Sequence, residues 1–292
     1  MKNITINGFN NLELNTYLFD EVQNPKASIL IIHGMQEHGG RYLNFANFLQ
    51  KNGFIVLVSD LRGHGLTAKS KDDFGKGNKD IFSEIVEDQK ILAKYLEDKF
   101  SCPLYVFGHS YGSFITQKLL QVYPSIQKAI ICGTTNGDSG IIDLGRFLSN
   151  ILMKFGKQDN RESLVQKMSL NSYGKGFEDG NWLTRDSNVW EEYKKDELCG
   201  NPFPLSFYNS MLNNLHLLNK NISHINKETD ILFIVGSKDP VSSGAKHVIS
   251  LHKLYVKKGL NASIKIYDDC RHELLNEINK EEVYNDILDF YK

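Results

Sequence analysis

A short apolar run that ends in the sequence Gly-His-Ser-Tyr-Gly constrains the fold of this chain more than any other feature. Residues 104–107 are apolar, residues 108–112 form a glycine-containing turn, and apolar positions at helical spacing continue as far as Pro124. The Cys-Pro pair before the run and the glycine after it favour a buried strand over a helix. The pattern therefore predicts a strand, a sharp turn that carries Ser110, and a helix.

The turn around Ser110 has the G-x-S-x-G spacing of a nucleophile elbow, in which a sharp bend lifts the serine oxygen clear of the backbone. Glycines on both sides relieve the crowding that such a bend creates. The helix that follows points free N–H groups at the site and favours negative charge there. A Gly/Ser-rich turn without chemistry is the plain alternative, but the strand before the turn and the helix after it favour the elbow.

Apolar runs that alternate with helical patterns predict the architecture around this turn. The runs at 28–32, 54–58 and 104–107 are short and almost continuously apolar, which is typical of strands covered on both faces of a parallel sheet. Right-handed strand–helix–strand units would connect them, and an N-terminal hairpin would form one edge. We therefore predict an α/β fold with a mostly parallel central sheet of about eight strands flanked by helices. The predicted strands are residues 4–6, 12–19, 28–32, 54–58, 104–107, 128–132, 230–235 and 262–267.

The alternation stops over residues 133–229, where no clear buried strand appears. This stretch is rich in helical periodicity, asparagine and aromatic residues. It is too long for a loop, because connections beyond about 15 residues are uncommon inside compact domains. We predict a core made of residues 1–133 and 228–292, with a helical cap inserted at residues 134–227.

A serine hydroxyl is a weak nucleophile at neutral pH, so Ser110 needs a histidine base and an acid that orients that base. Reactive groups collect beyond the carboxyl ends of strands in a parallel sheet, which selects five of the nine histidines. Of these, His272 fits the order serine, acid, histidine. A loop histidine packed beside Glu273 is its structural alternative. The others are the earlier His33, His38 and His64 and the adjacent His109.

Asp239 is the predicted acid. It follows the strand after the predicted cap and precedes His272 in the chain. Asp268 and Asp269 also follow a strand, but they share a short loop with His272, from which a carboxylate reaches its Nδ1 awkwardly. Capping of a helix before Pro240 is the structural alternative for Asp239.

Two backbone N–H groups would form the oxyanion hole, one from the residue after the nucleophile and one from a loop after an earlier strand. Tyr111 supplies the first. The second lies in the loop at residues 33–35, where Gly34 lets the backbone turn, so we predict the N–H of Met35.

Charge and cysteine content limit the partners of the chain. Lys+Arg 34 and Asp+Glu 35 give a formal net charge of -1, which predicts a small-molecule partner and no nucleic acid or acidic membrane. The four cysteines are scattered without a C-x-x-C pair, which argues against a zinc site and predicts buried thiols in a reducing cytoplasm.

The chain begins without an apolar signal region, and no apolar run approaches the ~20 residues of a membrane span.

Six motifs together resemble the monoacylglycerol lipase and lysophospholipase branch of the α/β-hydrolases. The similarity runs through nearly the whole chain and is far more specific than G-x-S-x-G alone. The motifs are HGMQEHGGRY at 33–42, SDLRGHG at 59–65, GHSYG at 108–112, NWLTRD at 181–186, GSKDP at 236–240 and RHELLNE at 271–277.

This resemblance implies an α/β-hydrolase that cleaves carboxylic esters through an acyl-enzyme, with a helical lid after the sixth core strand and no metal or organic cofactor. It gives the triad roles to Ser110, Asp239 and His272, and the oxyanion roles to Met35 and Tyr111. We predict an enzyme acting on esters of monoacyl lipids, either monoacylglycerol or lysophospholipid, or on similar acyl esters. Residues 181–186 would make structural polar contacts in the cap.

The cap holds the information about substrate. Apolar positions in residues 141–155 cover more than one helical stripe, so one face could pack on the core while the other lines an acyl tunnel or transiently touches a lipid surface. A helix that simply packs in the lid is the equal alternative. The candidate substrate-binding residues are Phe147, Leu148, Ile151 and Leu152.

Three other functions stay open at this point. Aminopeptidases of the proline-iminopeptidase kind use the same fold and triad, and an acidic cluster that grips a peptide amino terminus would favour them. A hydrolase-fold protein can also be a non-catalytic binding module, usually with a broken triad, and none is broken here. A cofactor-free oxidative or perhydrolytic activity is the third.

Overall fold

The computed structural model describes residues 1–78, 80–138, 140–162 and 170–292. Eight strands in this part of the chain form a single sheet, as predicted. They are β1 (Lys2–Asn7), β2 (Glu13–Phe19), β3 (Ala27–Ile32), β4 (Phe54–Ser59), β5 (Leu104–His109), β6 (Ile126–Cys132), β7 (Asp230–Gly236) and β8 (Ala262–Tyr267).

The strand order is β1-β2-β4-β3-β5-β6-β7-β8. β2 runs antiparallel to both of its neighbours, and all other adjacent pairs are parallel. The predicted N-terminal hairpin therefore forms one edge. β5 lies in the middle of the sheet, with Gly108 paired to Ile32 of β3 and His109 paired to Cys132 of β6. The segments that follow β3, β5, β6 and β7 consequently meet at one edge of the sheet.

Helices cover both faces of the sheet. They are α1 (Leu43–Lys51), α2 (Ile81–Lys99), α3 (Tyr111–Val122), α4 (Gly140–Lys154), α5 (Leu170–Tyr173), α6 (Ser187–Lys195), α7 (Leu205–Leu218), α8 (Lys246–Lys257) and α9 (Lys280–Tyr291). Apolar side chains of α1 and α9 pack on one face, and those of α2, α3 and α8 pack on the other. The result is a three-layer α/β structure with a buried, mostly parallel sheet.

The described residues between β6 and β7 form helices α4 to α7 and no strand. This agrees with the helical character predicted for the stretch, and its division from the core at residues 134–227 stays a prediction. No helix in the described ranges combines the length and the apolar character needed to cross a bilayer.

Asp80 joins α7 to the core. Its carboxylate accepts the N–H of Ser83 at 3.5 Å as the N-cap of α2. The same carboxylate accepts hydrogen bonds from Ser210 Oγ at 2.5 Å and Asn214 Nδ2 at 3.0 Å, both on α7. Burial opposes ionisation of Asp80, but these hydrogen bonds lower its pKa. The capping residue is thus also an anchor for α7.

Helix α8 begins later than its sequence pattern indicates. The pattern predicts a start near Ser242, whereas the helix begins at Lys246. Ser243, Gly244 and Ala245 have φ values of 54°, 62° and 67°, so the backbone is left-handed over three residues and cannot continue into a right-handed helix there.

Candidate active site

The sharp turn after β5 places Ser110 at the carboxyl edge of the sheet. Its backbone has φ 52° and ψ -118°, a strained conformation for a residue with a side chain. The Ser110 N–H donates to the carbonyl of Cys132 at 2.9 Å, which holds the turn against β6. The structure therefore has the strand, the strained turn and the helix that the G-x-S-x-G pattern predicts.

The two glycines of the turn allow a close approach of backbones. A Cβ on Gly112 would lie 2.1 Å from the carbonyl oxygen of Ile32, and one on Gly108 would lie 2.1 Å from Thr116 Oγ1. Both separations are far inside van der Waals contact, so any larger residue would push α3 away from β3 and β5. The glycines set the position of the helix N-terminus behind Ser110.

His272 and Asp239 meet at the same edge of the sheet. The Nδ1 of His272 lies 3.0 Å from Asp239 Oδ1, and both side chains are buried. The pair has the separation of a hydrogen bond but not its alignment, which is common in unliganded sites. Asp239 Oδ1 also accepts the N–H of Val241 at 2.9 Å, which fixes the carboxylate. The Nε2 of His272 has no hydrogen-bond partner among the described residues and remains available.

Rings and a glycine fix the His272 side chain. Its ring centroid lies 4.8 Å from that of His109 and 5.1 Å from that of Trp182. A Cβ on Gly133 would come within 3.1 Å of His272 Cε1, so the turn after β6 leaves just enough room for the imidazole. The His272 ring is therefore confined between the elbow, the end of β6 and residues of the predicted cap.

A cavity of about 170 Å³ opens beside Ser110 and His272, with Asp239 behind the histidine. Three residues far apart in the chain are thus brought to one place. The cavity is lined by Gly34, Met35, Gln36, Glu37, His109, Ser110, Trp182, Leu183, Trp190, Tyr193, Gly200, His272 and Glu273.

The predicted oxyanion residues lie on either side of Ser110. Tyr111 is the first residue of α3, whose N-terminal N–H groups have no partner within the helix. Met35 lines the cavity, and a Cβ on the preceding Gly34 would lie only 3.2 Å from Ser110 Cβ. The Tyr111 side chain is buried against Phe207, and Tyr111 is not among the residues that line the cavity. The role of its backbone N–H as an oxyanion donor stays a prediction.

The four cap residues predicted to bind substrate lie on α4 and do not line this cavity. Phe147 is 61% exposed, and Leu152 packs against the core cluster. Their role stays a prediction. The aromatic wall comes instead from Trp182, Trp190 and Tyr193, which sequence reasoning did not single out. Only Trp182 carried a signal, its place within the NWLTRD motif.

Two acidic residues line the cavity, but both are paired. Glu37 Oε2 accepts from Arg41 Nη1 at 2.7 Å, and Glu273 accepts from both terminal nitrogens of Arg41 at 2.7 and 2.6 Å. Burial disfavours the cationic form of Arg41, yet the two carboxylates raise its pKa well above the usual range. The guanidinium therefore stays charged and engages both acids.

One cluster in the described ranges, His38, Asp196 and Cys199, has metal-ligand chemistry, with ligand atoms within 4.8 Å of one another. His38 Nδ1 accepts the N–H of Gly40 at 3.2 Å, so a neutral ring carries its proton on Nε2. That Nε2–H donates to Asp196 Oδ2 at 2.8 Å. Neither ring nitrogen then has a free lone pair for a metal ion. Burial opposes ionisation of Asp196, but the hydrogen bond from His38 lowers the pKa of Asp196. The cluster therefore joins the loop after β3 to the end of α6 by a hydrogen bond.

The parallel sheet, the strained elbow and the helical layers define this chain as an α/β-hydrolase. It belongs to the Hydrolase_4 family, described as serine aminopeptidase, S33, whose model matches residues 23–279. Within that family it is similar to the monoacylglycerol lipases, as its motifs indicated.

Three relatives support this placement. A Monkeypox virus monoglyceride lipase homolog is 27% identical over 262 residues, covering 88% of this chain and 85% of that protein. The monoacylglycerol lipase of Mycolicibacterium smegmatis is 23% identical over 267 residues, covering 90% and 87%. An uncharacterized abhydrolase domain-containing protein of Dictyostelium discoideum is 23% identical over 270 residues, but the chain spans only 26% of its length.

A solved structure matches the fold over nearly the full chain. It is a thermostable carboxyl esterase from Bacillus coagulans in complex with glycerol, with a TM-score of 0.91, 22% identity and coverage of 99% of this chain and 97% of the esterase. At this identity the solved structure supports the α/β-hydrolase fold, and the named relatives support an ester-hydrolysing enzyme.

Proposed function

We propose that the chain is a serine hydrolase that cleaves carboxylic esters of monoacyl lipids, either monoacylglycerol or lysophospholipid, or similar acyl esters. The observation that carries the proposal is the grouping of Ser110 with the buried His272–Asp239 pair around one cavity. The names of the monoacylglycerol lipase relatives and of the glycerol-bound esterase support the choice of substrate.

In the proposed reaction, Ser110 Oγ attacks the ester carbonyl while His272 Nε2 takes its proton. Asp239 holds the imidazole and stabilises the imidazolium that forms. The N–H groups of Met35 and Tyr111 bind the oxyanion, and each contributes about 2 to 4 kcal/mol to the transition state. His272 then returns the proton to the leaving alcohol, and water hydrolyses the acyl-enzyme by the same steps.

The aminopeptidase alternative needs a free acidic group for the substrate ammonium. Glu37 and Glu273 are the acids that line the cavity, and Arg41 engages both. This pairing favours ester cleavage, because a cationic amino terminus would have to displace a buried guanidinium.

A reducing cytoplasmic location belongs to the same proposal. All four cysteines are free thiols, and Cys132, Cys199 and Cys270 are buried. Scattered, unpaired thiols are typical of proteins kept in a reducing compartment.

The test is an activity profile of the wild type and two variants on a monoacylglycerol, a lysophospholipid, a short aryl ester and an amino-acid aryl amide. Ser110→Ala should lose at least about 1,000-fold in kcat on the esters while its thermal unfolding stays close to wild type. Ser206→Ala, a part-buried serine on α7, is the matched control and should keep full activity. Cleavage of the amide alone would favour the aminopeptidase. Absence of both turnover and fluorophosphonate labelling would point to a binding module.

A further inference from the structure

The carboxylate of Glu37 lies at the centre of the loops that form the candidate site. Its Oε1 accepts the N–H of Gly34 at 2.6 Å and the hydroxyl of Tyr42 at 2.7 Å. It also lies 3.3 Å from His109 Nδ1. Glu37 is itself buried, with 4% of its surface exposed. One side chain thus holds both the turn beside Met35 and the residue next to Ser110.

Arg41 extends this contact to the loop of the catalytic histidine. It donates to Glu37 Oε2 and, through a two-bond contact, to Glu273, the residue after His272. Paired bonds of a guanidinium with a carboxylate fix orientation as well as distance. The loops that carry Met35 and His272 are therefore joined by charged hydrogen bonds.

His109 closes the network on the other side. The hydroxyl of Tyr42 donates to Glu37, so its oxygen accepts a hydrogen bond from His109 Nδ1 at 2.9 Å. The His109 Nε2 faces the carbonyl oxygen of His272 at 3.3 Å. Both ring nitrogens thus face acceptors, which matches a doubly protonated imidazolium. Burial opposes this charge, but the contact with Glu37 raises the pKa of His109.

The charges in this cluster balance. Burial alone would protonate Glu37, yet its hydrogen bond with His109 and the charge of Arg41 hold its pKa well below the usual range. Two carboxylates, Glu37 and Glu273, then face two cations, Arg41 and His109. A buried network with every charge paired is rigid, whereas removal of one member leaves another charge unpaired.

We propose that Glu37 is a positioning residue of the active site, fixing the oxyanion loop relative to Ser110 and His272. This inference rests on the proposed function and adds a residue that acts through others and not on the substrate. A displacement of reacting groups by about 1 Å can lower a rate about 100-fold, so the loss of Glu37 should appear in kcat.

The central test is Glu37→Gln, which keeps the shape of the side chain and removes its charge. With a soluble short aryl ester, we expect kcat to fall about 100-fold while KM changes less than about threefold. The rate of inactivation by a fluorophosphonate should fall in parallel, because that reaction uses the same serine and oxyanion loop. Urea unfolding of each variant shows whether the fold remains.

Asp88→Asn is the matched control. Asp88 forms an equally buried pair with Arg62, at 3.0 and 2.9 Å, on a part of the core that does not line the cavity. The Asp88→Asn variant should have a lower free energy of unfolding, while its kcat stays within about threefold of wild type. If Glu37→Gln behaves like this control, the network is only structural and the positioning role is wrong.

If Glu37→Gln does not fold, a second variant tests the positioning role of the network. Glu273→Gln removes one charge from the two-bond contact with Arg41 and leaves the hydrogen bond from the Gly34 N–H to Glu37 in place. A folded Glu273→Gln variant with lowered kcat and unchanged KM supports the network, and one with wild-type kcat overturns it. A wild-type chain inert to ester and fluorophosphonate refutes the proposed function itself.

Discussion

His272 Nδ1 lies 3.0 Å from Asp239 Oδ1, and both residues are almost completely buried, with 1% and 0% of their surfaces exposed. A carboxylate in this position selects the ring tautomer with its proton on Nδ1 and leaves Nε2 as the base. The second oxygen, Asp239 Oδ2, has no partner among the described residues. The acid is therefore directed at the histidine and at one backbone N–H, that of Val241.

Asp239→Asn should lower kcat by about four orders of magnitude, because an amide donor facing Nδ1 favours the wrong tautomer. Asp268→Asn and Asp269→Asn are the controls. These exposed acids on the histidine loop were the competing candidates in the sequence, and their variants should stay within about twofold of wild type. Steady-state kinetics on a soluble ester measures all three. Equal losses in Asp239→Asn and Asp268→Asn would contradict the assignment of the acid.

His64 should make the fold sensitive to acid. Its Nδ1–H donates to the carbonyl of Arg62 at 3.0 Å, and its Nε2 is buried without a partner beside Phe203 and Phe207. Burial is the main cause that lowers the pKa of His64 to about 3. The unfolded chain, where histidine titrates near its ordinary pKa of about 6.5, then binds more protons between these two values. Stability should therefore fall as the pH drops below about 6.5.

Between pH 6.5 and about 3, His64 should lower the free energy of unfolding by up to about 1.4 kcal/mol for each pH unit of acidification. Urea unfolding at pH 7, 6 and 5 should give a flatter dependence for His64→Gln than for the wild type. His224→Gln, at an exposed histidine, provides the matched control and should follow the wild-type slope. Parallel slopes for the wild type and His64→Gln would show that another group dominates the acid response.

The sequence predicted those features that depend on local pattern. β8 lies at its predicted bounds, residues 262–267, because apolar Ala262, Ile264 and Ile266 alternate there with Ser263 and Lys265. The grouping of Ser110, Asp239 and His272 could be inferred because parallel strands bring their carboxyl ends together.

Other features depend on contacts that a linear pattern does not contain. The Arg41–Glu273 pair joins residues 232 positions apart, and neither has a periodic or spacing signal for the other. The place of Trp182 against His272 depends on how the segment between β6 and β7 folds against the sheet. The late start of α8 follows from left-handed conformations at Ser243 and Ala245, which are unusual for residues with side chains.

Gly112→Ala should disrupt the elbow. The added methyl group would lie 2.1 Å from the Ile32 carbonyl and 2.6 Å from that of His33, so α3 must move away from β3. Overpacking of this kind costs about 1 to 3 kcal/mol or more. Chemical denaturation measures the loss. Gly140→Ala is the control, since its Cβ would meet nothing within 4 Å, and it should be neutral or slightly stabilising. Similar stability of the two variants would contradict the close approach at Gly112.

Two exposed aromatic side chains, Phe147 on α4 and Phe155 directly after it, are expected to touch a lipid surface. Phe147 is 61% exposed and Phe155 is 73% exposed, although α4 also packs toward α7. Burying part of the two rings in a bilayer interface should together contribute about 1.4 kcal/mol, which corresponds to a tenfold change in binding. The double variant Phe147→Ser with Phe155→Ser should therefore act roughly tenfold less well on monoacylglycerol in vesicles.

The same double variant should keep its rate on a monomeric soluble ester, because neither ring lines the cavity beside Ser110. Val256→Ser removes a similarly exposed apolar side chain from α8, on the core, and should change neither rate. A loss confined to vesicles thus assigns these rings to the lipid surface. An equal loss on both substrates would instead mean that α4 shapes the path of the acyl chain, which is the other role its sequence allows.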